Sequence, residues 1–159
     1  MASDKQYKCG FCKESGHCIK TCHDPKALEL IQATEYKFGI AMQYFDNEKY
    51  STQLLNSVIQ WLEEKSKTEL SLLISNTSIY KKQAKKEQLI AGIIIGYYCW
   101  DAYNDWTDSE YYVLDKSKQR EIQIRLNKLE LYWRLIYAGY KKEDVLEEIE
   151  KYKERDYRM

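Results

Sequence analysis

Residues 89–100 read LIAGIIIGYYCW, and whether this run is a strand or a helix decides the fold class. Consecutive isoleucines suit a buried strand, and a short apolar run is ambiguous by itself. The helical periodicity on its flanks favours helix. Ile90, Ile93, Tyr97 and Trp100 form one stripe, which Ile94 and Tyr98 widen. A helix apolar on nearly all sides belongs at the centre of a bundle or in an interface. At 12 residues the run is too short to cross a bilayer. The spacing predicts a buried helix over 79–103, polar and basic in its first half.

Outward from this run, the rest also reads as helix. Asp24 and Pro25 provide a cap and a first-turn proline, after which Leu28, Ile31, Phe38, Met42 and Phe45 recur at helical spacing. A second helix is predicted over 52–65, with Leu54, Leu55, Val58, Trp61 and Leu62 on one face. A shorter one covers 69–74, and SNTS at 75–78 reads as turn and cap material. Ile122, Leu126, Leu129, Trp133 and Ile136 define a helix over 116–138, which Gly139 ends. The last helix, 142–155, groups Val145, Leu146, Ile149 and Tyr152, with opposite charges at i,i+4 on its wet face. The expected fold is all-α, a bundle-like body of five or six helices over 24–159, preceded by a small module over 1–23. Residues 101–112, DAYNDWTDSEYY, read as a solvated acidic and aromatic connector. Their carboxylates lack the glycine and terminal glutamate of a calcium loop.

Composition narrows the function. The chain has 159 residues, 44% of them hydrophobic and 31% charged, with one proline. That is globular composition. The 25 basic and 25 acidic residues cancel, so contact with nucleic acid would have to be local, because phosphate binding feeds on positive surplus. Fifteen tyrosines and four tryptophans suit protein interfaces as well as cores. A protein partner or self-association is therefore expected. The opening MASDKQYK is polar and no apolar signal core follows, which points to an intracellular protein with no membrane span.

Four of the five cysteines lie in residues 9–22, CGFCKESGHCIKTC. Cys9, Cys12, His17 and Cys22 follow the spacing C-x2-C-x4-H-x4-C, and three thiolates with one imidazole complete a tetrahedral zinc shell. So short a segment cannot build a core, so metal binding would supply its folding energy. A shell of Cys9, Cys12, Cys22 and His23 is the alternative, ranked lower because its last two ligands are adjacent. Cys18 reads as a free or packed thiol. Four protein ligands leave no open position for activated water. Phosphate loops and hydrolase or kinase motifs are absent, so the chain is not expected to be an enzyme.

The quoted segment resembles the CCHC zinc knuckle of retroviral nucleocapsid and retrotransposon Gag proteins, over residues 9–22 only. The resemblance implies Zn²⁺ as the metal and single-stranded RNA or DNA as a partner, contacted through Phe11, Lys13, Ile19 and Lys20. Two departures stand out. Gly10 occupies the place where many members carry an aromatic ring, and Lys13 the place of a common glycine. Residues 1–23 hold four lysines against two acids. With three thiolates and one zinc the module would carry about +1, few charges for phosphate contact.

Two functions follow. The first is a zinc-binding adaptor, its knuckle touching single-stranded nucleic acid and its body touching protein. The second is a structural component of an assembly, such as a virion, in which the knuckle mediates protein contacts. The knuckle runs into the first helix with almost no linker, which suggests docking on the body rather than tethering. The basic run KKQAKKE, with Lys81/Lys85 and Lys82/Lys86 at i,i+4, reads as a solvated helix flank that could also meet phosphate.

Overall fold

The computed structural model describes Cys9, residues 11–13, Ile19, residues 22–77, Ile79, residues 84–100 and residues 115–156, the last with side chains to Lys151. Six helices account for most of this: α1 (Pro25–Gln43), α2 (Glu48–Glu63), α3 (Lys67–Ser75), α4 (Lys86–Ile94, continued by a π-turn over Ile95–Cys99), α5 (Lys116–Tyr137) and α6 (Lys142–Asp156). No strand occurs among the described residues, and none of their helices is long and apolar enough to cross a membrane. The connector at 101–112 lies outside the described residues.

Local chemistry sets the helix starts. The Asp24 carboxylate accepts from the Lys26 N–H at 2.9 Å, with Pro25 in the first turn. The second helix begins earlier than its apolar stripe suggests, because the Asn47 side chain accepts from Tyr50 N–H. Ser66 and Glu69 cap α3 reciprocally, at 3.1 and 2.9 Å. Asp115 caps α5 through Lys118 N–H. At the other end of α5, Gly139 takes φ +108°; its N–H reaches Ile136 O and the Tyr140 N–H reaches Leu135 O. These two bonds form the Schellman closure that a glycine allows.

The central helix departs from expectation at its start. It begins at Lys86, not at residue 79. The Thr77 hydroxyl donates to Ile74 O at 2.7 Å and accepts from Ile79 N–H at 3.0 Å, a local turn that competes with helix. Lys85 has extended backbone, and its N–H donates to the Gln88 carboxamide, which starts the helix there. Lys85 therefore precedes the helix, and Lys81 and Lys82, the other half of the expected basic flank, lie outside the described residues.

Within 89–99 every residue is buried except Gly96, which is half-buried. The π-turn contributes to this. The Trp100 N–H bonds back to Ile95 O, one residue further than in an α-helix, so Tyr97, Tyr98 and Cys99 all face protein. Tyr97 donates to Leu73 O and accepts from Asn76, both at 3.1 Å. Its ring stacks on Phe38, with centroids 6.0 Å apart. The α4 segment packs on α3 and α5, while the π-turn packs on α1 and α5. Two stripe members face water instead. Leu28 is 43% exposed and Leu146 64% exposed. Ala27 and Thr34 occupy the inner face of α1 in the first case, the Thr34 hydroxyl satisfied by Leu30 O; Val145 and Ile149 do so on α6.

Gly96 tests this packing. A Cβ built there would lie 2.6 Å from Thr77 Cγ2 and 2.8 Å from its Cβ. Thr77 is held by the hydrogen bonds just described, so it cannot yield cheaply. Gly96→Ala should lower unfolding free energy by about 1–3 kcal/mol, the usual cost of overpacking. Chemical denaturation measures this, and an unchanged midpoint would contradict the close helix approach.

Candidate metal centre

The site starts from a tight turn. Lys13 N–H donates to Cys9 O at 3.0 Å, and Phe11 N–H points at Cys9 Sγ at 3.4 Å. This turn sets the Cys9 and Cys12 side chains side by side, as the x2 spacing requires. Its last residue, Lys13, has φ +68°, the only positive φ at a non-glycine among the described residues. The glycine common at this place in the resembling knuckles would adopt that angle freely; lysine pays for it. Cys22 arrives from the other side, where its N–H reaches Ile19 O at 3.4 Å just before α1 begins.

The ligand atoms of Cys9, Cys12 and Cys22 all lie within 4.8 Å of one another, and Cys9 and Cys22 are buried. Sulfurs on a tetrahedral zinc with bonds of about 2.3 Å stand roughly 3.8 Å apart. The three thiols are therefore close enough together to share one metal ion. None of the described cysteines is in a disulfide. Two placements differ in status. His17 lies outside the described residues, as do Cys18 and Lys20. His23 is described, exposed, and not part of the cluster, so the alternative shell through His23 is not formed here.

Electrostatics in the cluster resemble a site waiting for a cation. Burial pushes the Cys9 thiol up, but N–H groups of Cys12 and Phe11 and the thiols of Cys22 and Cys12 outweigh it and bring it down to about 7. Burial raises Cys22 to about 11; the Asp24 N–H opposes this, while the neighbouring Cys9 and Cys12 add to it. One sulfur thus ionises readily and suppresses ionisation of the next. A divalent cation removes that conflict by holding all of them as thiolates.

The residues around the sulfurs are what sequence reasoning did not name. Cys9 and Cys22 share an apolar cluster with Ala27 of α1 and Leu72 of α3. Phe11, Ile19, Leu30 and Ile31 pack against it half-buried. Phe11 and Ile19, the two residues expected to face a base, are thus half-buried on the cluster that holds the sulfurs. Lys13 is exposed. The one available signal for Ala27 was its place on the α1 face two residues after Pro25; nothing in α3 marked Leu72. No family model matches the chain, and no curated protein or solved structure matches it significantly.

Purified protein should carry one zinc per chain by elemental analysis, and Cys9→Ser should lose it. Metal capture must displace thiol protons, so affinity should fall as pH drops through about 7, where Cys9 protonates. A competition titration with a chromogenic chelator at several pH values would read this; affinity that rises on acidification would contradict it. Lys13→Val should weaken metal binding, because a β-branched residue resists positive φ, while Lys13→Gly should retain it.

Proposed function

We propose that this chain is a non-enzymatic, zinc-stapled helical adaptor that works by protein contact, as a self-associating unit of an assembly. The observation that carries this reading is the half-burial of Phe11 and Ile19 against the cluster formed by the cysteines, Ala27 and Leu72. A ring half-covered by its own chain has less free surface to offer a base. Zinc, completed by His17, would then fasten the first residues to α1 and α3 rather than present them to nucleic acid. Exposed aromatics on the helical body support the protein-contact half. Tyr36 is 71% exposed, and Tyr44 and Tyr50 meet edge to face at the α1–α2 turn, centroids 4.8 Å apart, with both rings open to solvent. Such rings are favoured contact residues.

The rival reading keeps the knuckle as a single-strand contact through Phe11, Lys13, Ile19 and Lys20, inside a cell or a virus particle. Two measurements separate them. Light scattering across concentration should give masses above the 19.1 kDa of one chain, reduced by Tyr36→Ser combined with Tyr44→Ser. Fluorescence anisotropy with short single-stranded RNA and DNA should show no salt-sensitive binding. Salt-sensitive binding that Phe11→Ala abolishes, from a protein that stays monomeric, would replace the assembly reading with the nucleic-acid one.

A further inference from the structure

A cleft of about 470 Å³ opens between α2, α5 and α6, and none of Cys9, Cys12 and Cys22 lines it. Its size falls within the roughly 300–1,000 Å³ of small-molecule sites. Arg125 of α5 stands in its wall, with a side chain only 13% exposed. Its Nη1 donates to Phe45 O at 2.6 Å and its Nη2 to Ser51 Oγ at 3.2 Å. The guanidinium lies 4.4 Å over the Phe45 ring. These contacts pin the α1–α2 turn, and they account for two of the five N–H donors of an arginine.

The charge itself is matched only in part. The nearest carboxylate, Glu48, stands 4.0 Å from Nε and is 69% exposed. That is too far for a hydrogen bond and too wet for a strong pair. A cation drawn this far out of water costs free energy unless something of opposite charge meets it. The remaining cleft wall is largely apolar: Leu55, Leu129 and Ile149, with the Tyr98 and Tyr132 rings. The rim holds Lys128 but also Glu48 and Glu150, so the cleft's own charges cancel and a ligand with two negative charges would meet repulsion.

We infer that this cleft binds a small amphipathic carboxylate, its head group on Arg125 and its hydrocarbon body along Leu55, Leu129 and Ile149. A single carboxylate would bring a closer counter-charge than the exposed Glu48, and a guanidinium with N–H donors to spare can accept it. The apolar wall supplies the rest of the affinity by burial. The site is independent of the zinc staple and of the assembly reading.

Octanoate is the probe, added to the zinc-loaded, isotope-labelled full chain and followed by amide chemical shifts. The expected result is saturable change centred on α2, α5 and α6. Octanol should bind at least about tenfold more weakly, as loss of a charge-assisted hydrogen bond implies, and octyl phosphate no more tightly than octanoate. Thr52→Trp should abolish binding, because exposed Thr52 lines the cleft and an indole would fill it. Arg125→Gln, where it folds, should weaken octanoate about tenfold and leave octanol unchanged. No saturation by millimolar octanoate, equal binding of octanol, tighter binding of octyl phosphate, or binding that survives Thr52→Trp would each overturn the assignment. The Thr52 and octanol arms decide the matter even where Arg125→Gln unfolds.

Discussion

The exclusion of water from residues 89–99 is the constraint around which the other helices are arranged. A segment with no polar face cannot lie on a surface, so it must be covered on all sides. Coverage comes from α3 and α5 along α4, and from α1 and α5 along the π-turn. Each fully buried Leu or Ile contributes about 1.5–3 kcal/mol, enough to pull several amphipathic helices round one axis. Gly92 and Gly96 let α3 and the turn at Thr77 come close. The π-turn then places two consecutive tyrosines in the core. Burial pushes the Tyr98 phenol and the Cys99 thiol well above their ordinary ranges, so both stay neutral at any physiological pH.

The first residues obey a different constraint. They are too few to enclose an apolar core, and what they bring together instead is three sulfurs. Yet the cluster is not self-contained. Cys9 and Cys22 share an apolar cluster with Ala27 and Leu72, so the body's own helices wall the candidate site. Leu30 and Ile31 border both this cluster and the main core. α1 is thus the shared wall, and the state of the thiols bears on how its first turns are held. A metal here would act as a staple between chain segments, supplying binding free energy where apolar area is short.

Arg125 shows how one residue can serve the fold and still leave chemistry unspent. It holds the α1–α2 turn through a carbonyl and a hydroxyl. These dipoles, the Phe45 ring and the exposed Glu48 carboxylate offset only part of the cost of a buried charge. Neutral overall composition hides this, because the charges that cancel in the sum are not the charges that stand beside one another.

From the sequence alone, residue spacing determined the all-α class, the start of α1, both ends of α5, and the three cysteines of the candidate metal cluster. These depend on short-range rules: helical periodicity, a side-chain cap, a glycine after the last turn, ligands from one tight turn. The start of α4 was misread because Thr77 and Gln88 redirect backbone hydrogen bonds that periodicity does not register. Leu28 and Leu146 were assigned to the core because a stripe gives a face but not its width. Only tertiary structure decided that Ala27 and Leu72 join the cluster that holds the sulfurs, Phe11 and Ile19, and that Arg125 stands in a cleft. Each of these joins residues far apart in the chain, and such contacts depend on how whole helix faces pack, which no local pattern encodes.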